Sequence, residues 1–166
     1  DVFREVYGTI EPIPEHRVRI LEDGDSLHIG DAELTVHHTA GHAKHHFVVS
    51  DPALETVYTG DTFGLVYPAL QRAGTFALPS TSPTDFDPVE ARRSIDRVLS
   101  LGHPVACPTH FGEVRDLEGV ALQLRALLDL AEGWLEAAAA SDAPLAELTR
   151  DLTGKVRDAI AEAAAR

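Results

Sequence analysis

The sequence predicts an α/β fold: a mostly antiparallel sheet with a helix at 88–101 on one face and a helix pair at the C-terminus. Three observations carry this. Short β-type runs punctuated by Asp-Gly and Gly-Asp turns fill residues 17–59. A proline-led amphipathic segment follows at 88–101, and residues 117–160 keep a 3.6-residue apolar period in two blocks. The chain of 166 residues is the size of one domain, and at 44% hydrophobic it can bury a core.

Residues 1–7 read as a short polar helix end, with Asp1 already inside it, stopped by Gly8. Residues 10–14 form an extended connector pinned by proline. Strands are expected at 17–21, 26–29 and 33–38, separated by turns at Glu22-Asp23-Gly24-Asp25 and Gly30-Asp31. A further pair, 47–50 and 56–59, joins across Asp51-Pro52. From 64 to 86 no period is visible; Pro68, Gly74, Pro79, Pro83 and a Ser/Thr cluster at 80–84 make it a long loop, which in a domain of this size is functional or disordered. The helix at 88–101 announces itself with Asp87 as N-cap, Pro88 at the first helical position and Glu90 in the first turn. Ala91, Ile95, Val98 and Leu99 then keep one face apolar. Residues 104–107 are a short buried strand. Leu117, Val120, Ala121, Leu124, Leu127, Leu128, Ala131, Trp134 and Leu135 define one long helix; after a break at 141–144, Leu148, Leu152, Val156 and Ile160 define a second. This pair is expected to pack on the sheet or on a second copy of the chain, as a homodimer through the C-terminal helices.

A formal charge of −13 disfavours nucleic-acid binding, because such a surface repels phosphates. No apolar run approaches the ~20 residues that span a bilayer, so no membrane partner is expected. The single Cys107 excludes an internal disulfide and reads as a buried small residue; the default compartment is cytoplasmic. The chain contains no Met, and its first residues carry no secretory signal. A processed or truncated start is one expectation, and a Met-poor protein that lost only its initiator is the other.

The chemistry concentrates in histidine. Five of the nine, His37, His38, His42, His45 and His46, lie within ten positions. The spacing of His38, His42 and His46 could suit a helical zinc site, but the β-type run Leu34-Thr35-Val36 and the turn Ala40-Gly41 argue against a helix there. Two other segments end in a comparable group: Val57-Tyr58-Thr59-Gly60-Asp61 and Val105-Ala106-Cys107-Pro108-Thr109-His110. Three strands thus present His42, Asp61 and His110 at their ends. Imidazole and carboxylate donors suit zinc, iron or manganese, and a carboxylate has two oxygens with which to bridge two ions.

Thr39-Ala40-Gly41-His42 followed by His46, then Thr59-Gly60-Asp61, then Thr109-His110-Phe111-Gly112, resembles the third to fifth motifs of the metallo-β-lactamase fold, in order. It is similar to the glyoxalase II-like branch, with Ala40 in place of that branch's proline. The likeness runs from about residue 18 to 112. It implies that the chain is the C-terminal half of an αββα sandwich over 1–115, with a helical extension at 116–166. It also implies two divalent metal ions, zinc first and iron or manganese as alternatives, with His42 on one ion, His110 on the other, Asp61 between them, and His46 orienting its neighbours from behind. His37, His38 and His45 match no ligand position. The family's HxHxDH motif is missing: His16 and His28 are the only earlier histidines, and neither has a partner at that spacing.

The reaction so implied is hydrolysis of an ester, thioester or lactone small-molecule substrate, the metals making hydroxide available at neutral pH and polarising the carbonyl. With three of seven ligands the chain alone is expected to be inactive. Two alternatives stand beside this: a non-catalytic metal-binding or dimerisation fragment, and an iron-dependent thiol oxidase or dioxygenase of the same fold. The 64–86 loop follows Asp61 and offers Phe63, Tyr67, Thr81 and Ser82 as substrate contacts, with the Tyr67 hydroxyl as a catalytic donor to a developing oxyanion. A packed connector is the plainer reading of the same loop.

Overall fold

The apolar runs and glycine turns become five strands: β1 (Ser26–Ile29), β2 (Ala32–His38), β3 (Phe47–Asp51), β4 (Thr56–Gly60) and β5 (Val105–Pro108). The computed structural model describes residues 2–9, 11–82, 84–110, 112–163 and 165. The readings made for Asp1, Ile10, Pro83 and Phe111 lie outside the described residues. The strands form one sheet in chain order, antiparallel at the first three junctions and parallel between β4 and β5. Four helices accompany it among the described residues: α1 (Val2–Tyr7), α2 (Pro88–Ser100), α3 (Leu117–Ala139) and α4 (Leu145–Ala163).

Local chemistry explains the turns. At the β3–β4 corner, Asp51 Oδ1 accepts from the N–H groups of Ala53 (3.0 Å) and Leu54 (3.1 Å), a side-chain substitute for a backbone turn. The parallel step from β4 to β5 requires a long crossover. Residues 61–104 supply it, and α2 lies within them.

Pairing also fixes direction. β2 and β4 are both antiparallel to β3, so they run the same way, and β5 is parallel to β4. The C-terminal ends of β2, β4 and β5 therefore lie at the same edge of the sheet.

One sheet face presents Val48, Val57 and Ala106 to the apolar stripes of α2 (Ile95, Val98) and α3 (Leu117, Val120, Ala121, Leu124, Leu128). Phe63 and Val114 complete this core. The core therefore continues across residue 115 into the first half of α3. Burying one such leucine stabilises the fold by about 1.5–3 kcal/mol relative to leaving it exposed. Arg92 on α2 pairs with Asp129 and Glu132 on α3, and Arg125 on α3 pairs with Asp96 on α2. The opposite sheet face, by register, carries Val36, Val49, Tyr58 and Cys107, with Tyr58 left exposed.

The strand expected at 17–21 does not form. A 3₁₀ turn at Glu15–Arg17 occupies its start, and Val18 and Ile20 are exposed. Its composition suits a strand, but among the described residues it makes no ladder with β1 or any other strand, and the backbone stays irregular. α4 lies against α3 with Leu148, Leu152 and Ile160 half-buried, while Leu145 and Val156 are exposed. Among the described residues no helix is long and apolar enough to cross a membrane.

Candidate metal centre

The shared direction of β2, β4 and β5 brings their following residues together. Asp61 comes directly after β4, His110 two residues after β5, and His42 four residues after β2. His42 Nε2 lies 3.6 Å from Asp61 Oδ2, and His110 Nε2 lies 3.2 Å from Asp61 Oδ1. Each carboxylate oxygen thus faces a different imidazole.

The hydrogen bonds around the three residues fix their orientation. His42 Nδ1 lies 3.0 Å from the carbonyl oxygen of Ser80. A carbonyl can only accept, so Nδ1 carries the proton and the Nε2 lone pair is turned toward Asp61. His46 sits behind the carboxylate. Its Nε2 accepts from the backbone N–H of Asp61 at 3.1 Å, which leaves the proton on Nδ1 to be donated to Thr62 Oγ1 at 2.8 Å. Thr62 in turn donates to Thr39 Oγ1 at 3.2 Å. Burial, reinforced by the neighbouring His42, lowers the His46 pKa, which agrees with a neutral ring committed to these bonds.

Two glycines permit the approach. Gly60 has φ +53°, and a Cβ there would stand 2.6 Å from His46 Nε2. Gly41 has φ +127°, and a Cβ there would meet Ala91 N at 2.4 Å. The Thr39–His42 turn is thereby seated on the start of α2. Its Gly41 carbonyl accepts from Asp87 N at 2.8 Å and its Ala40 carbonyl from the Ser94 hydroxyl at 2.5 Å.

The test of a metal here is the state of the donors. Asp61 Oδ1 is buried and has no hydrogen-bond partner despite its closeness to His110, and the His42 lone pair faces a carboxylate oxygen rather than a donor. Both features are unfavourable in a protein on its own, and both fit a cation held between the groups. Among the described residues no three His, Cys, Asp or Glu side chains close on a single point. A bridging carboxylate with one imidazole on each side does not require them to.

The remaining expected site residues fall elsewhere. Phe63 is fully buried in the core with Val48, Val57 and Leu124, so the substrate contact expected of it is corrected: apolar burial, not a pocket, takes this ring. A hollow of about 20 Å³ beside the centre is lined by His42, Asp61, Thr62, Pro79, Ser80 and Ser94 among others; Tyr67, Thr81 and Ser82 do not line it. Tyr67 precedes the 3₁₀ turn Pro68–Leu70, and Thr81 and Ser82 are exposed. His37 and His38 are engaged with Ser50 and the Leu21 carbonyl, and His45 is exposed. A larger cavity of about 370 Å³, between residues 73–76 and α3 and α4, is lined by Phe76, Leu127 and Leu130 with Glu162 as its one ionisable group. It has the volume for a ligand but not the chemistry of a reaction.

The sequence alone assigned no role to Ser80, Thr62 or Thr39. Thr39 opens the motif that ends in His42 and Thr62 follows Asp61, so adjacency was a usable signal. Ser80 acts through its backbone carbonyl, which no residue type announces.

The chain's likeness to known proteins points the same way. No curated protein matches its sequence. It is similar in structure to an archaeal metallo-beta-lactamase superfamily protein from Sulfolobus tokodaii, with a TM-score of 0.58 at 20% identity over 97% of this chain and 59% of that one. A metallo-beta-lactamase family protein from Thermus thermophilus gives 0.56 at 24% identity, over 86% and 48%. A metallo-beta-lactamase from Pontibacter korlensis gives 0.52 at 19%, over 77% and 54%. The chain thus spans about half to three-fifths of the length of these proteins. At such identities the likeness is one of fold. The sequence model of the metallo-beta-lactamase superfamily matches residues 2–110, a stretch that contains His42, Asp61 and His110, and by that match the chain belongs to this superfamily, whose members are generally metal-dependent hydrolases.

Proposed function

We propose that this chain carries one side of a dinuclear metal centre in a hydrolase, with Asp61 bridging, His42 on one ion and His110 on the other. The observation that carries this reading is the buried, unpartnered Asp61 Oδ1 flanked by two imidazoles. Leaving such an oxygen without a partner costs about 1–3 kcal/mol, which a protein retains where function requires it. Ions bound there would lower the pKa of a water and polarise a carbonyl under attack. The chain's own part is orientation: the Ser80 carbonyl turns His42, and His46 with Thr62 and Thr39 fixes the backbone at Asp61. Zinc is our first choice of ion for these donors, with iron and manganese sharing the same ligand types. The turn Thr39-Ala40-Gly41-His42 followed by His46 supports the glyoxalase II-like branch, and with it an ester, thioester or lactone substrate. No His-X-His pair occurs in the sequence, so the ligands that the family's HxHxDH motif would supply have no counterpart among these residues.

Asp61→Asn tests this reading. Without metal the variant should be as stable as the parent or more so, because an unpartnered charge is removed. With zinc or cobalt added, the parent's melting temperature should rise and the variant's should not. The chain alone should bind weakly and hydrolyse model esters poorly. Absence of any metal-dependent rise in the parent would sink the metal reading, and two tightly held ions with efficient turnover would sink the divided ligand set.

A further inference from the structure

The 61–80 segment touches all three residues of the candidate centre. It leaves from Asp61, whose carbonyl accepts from Gly64 N at 3.3 Å. Two residues later Val66 N–H donates to the His110 carbonyl at 3.0 Å. The chain then turns and returns as a hairpin closed by two bonds between Leu65 and Leu78, at 2.8 and 3.0 Å. It ends by placing the Ser80 carbonyl on His42 Nδ1. Gly64 lets the two arms close, since a Cβ there would stand 2.6 Å from the Leu78 oxygen.

Among the described residues the returning arm has no further strand beside it. A side chain takes that place. Gln123, in the second turn of α3, donates from Nε2 to the Thr75 carbonyl at 2.8 Å and accepts at Oε1 from Ala77 N at 3.2 Å. Its primary amide thus reproduces the two bonds of a neighbouring strand, three residues before the carbonyl that holds His42.

We propose that Gln123 is a positioning residue for the metal centre: through the 75–80 arm it sets the Ser80 carbonyl, and so the tautomer and direction of His42. The proposal rests on the metal reading of His42 for its consequence but not for its mechanism, since the tautomer is a property of the metal-free chain. The bonds of Gln123 go to the backbone of Thr75 and Ala77, not to His42, Asp61 or His110. It acts by the route that outer hydrogen bonds to metal-bound histidines generally take, where loss of the partner weakens metal binding by about 10–100-fold.

The experiment compares the parent chain with Gln123→Ala, the milder Gln123→Glu, and Arg125→Ala, which removes the nearby α2–α3 ion pair with Asp96 and serves as a control for general loosening. Nitrogen-15 shifts of the histidine rings, recorded without metal at mildly alkaline pH, read the His42 tautomer directly. The parent should show a single Nδ1–H form and so should Arg125→Ala; Gln123→Ala should show exchange between tautomers. Gln123→Glu keeps the acceptor for Ala77 N but loses the donor to Thr75, and should fall between. Titration with cobalt should then show binding weakened by about tenfold in Gln123→Ala and unchanged in Arg125→Ala. A parent chain with the proton on Nε2, or a Gln123→Ala chain with the parent's single tautomer, overturns the proposal. If cobalt binds to none of the chains while the tautomers behave as expected, the metal reading fails and the positioning role of Gln123 stands.

Discussion

Gly60 shows how much a single residue decides at the centre. Its backbone conformation, φ +53°, costs a residue with a side chain about 1–2 kcal/mol, and a Cβ would intrude on the ring of His46. Gly60→Ala should therefore lower stability by about 2 kcal/mol in denaturant melts. Because His46 must swing off the Asp61 N–H, the same variant should also weaken cobalt binding. A loss of stability with unaltered metal affinity would reduce Gly60 to a turn residue. The motif Thr59-Gly60-Asp61 could be read in the sequence; the reason its glycine is a glycine could not, because the histidine it makes room for belongs to a different, distant segment.

At the scale of the element, α2 joins the fold to the site. Asp87 caps it, its Oδ1 accepting from Val89 N (2.9 Å) and Glu90 N (3.0 Å), as the Asp-Pro-Val-Glu signature foretold. The same residue donates its own N–H to the Gly41 carbonyl, so the cap also seats the turn that carries His42. Asp87→Ala should cost about 1 kcal/mol of stability by loss of the cap, and the turn should loosen with it. Hydrogen exchange at residues 40–43 checks the second effect: protection there should fall more than it does in the sheet. Leu124 on α3 packs at 1% exposure beneath both the sheet and Gly64. Leu124→Ala should cost about 2–5 kcal/mol, which thermal or denaturant unfolding will measure.

The whole molecule is expected to respond to acid through His37. Its ring is pinned between Ser50 Oγ at 3.1 Å and the Arg97 guanidinium at 3.3 Å, which ties the sheet to α2. Burial first, and the Arg97 charge second, lower its pKa from 6.5, with Asp23 opposing and His103 reinforcing the shift. Above that value the ring is neutral both folded and unfolded, and adds no pH dependence. As pH falls through it, the unfolded chain takes the proton first, so stability falls until the folded ring also protonates. The melting temperature should thus begin to drop as the pH falls through about 6.5, and less steeply in His37→Gln. Equal slopes in the two proteins would clear His37 of the effect.

The strands at 26–29, 33–38, 47–50 and 56–59, the capped helix and the C-terminal helix pair were legible because each rests on local chemistry: turn residues, alternation, an N-cap, a helical period. The positions of His42, Asp61 and His110 shortly after strands were legible because the sequence marks those strands. Tertiary structure alone decided that β2, β4 and β5 run the same way and so deliver His42, Asp61 and His110 to one edge, since strand direction within a sheet follows from pairing between distant segments. It also decided the fates of 17–21 and of Phe63. The first has strand composition but joins no ladder; the second has an aromatic ring that a loop could have offered to a ligand and the core took instead. The contacts that orient the centre, from the Ser80 carbonyl and from Gln123, are made by or to backbone groups, which every residue carries alike, and only the folded chain shows which of them meet.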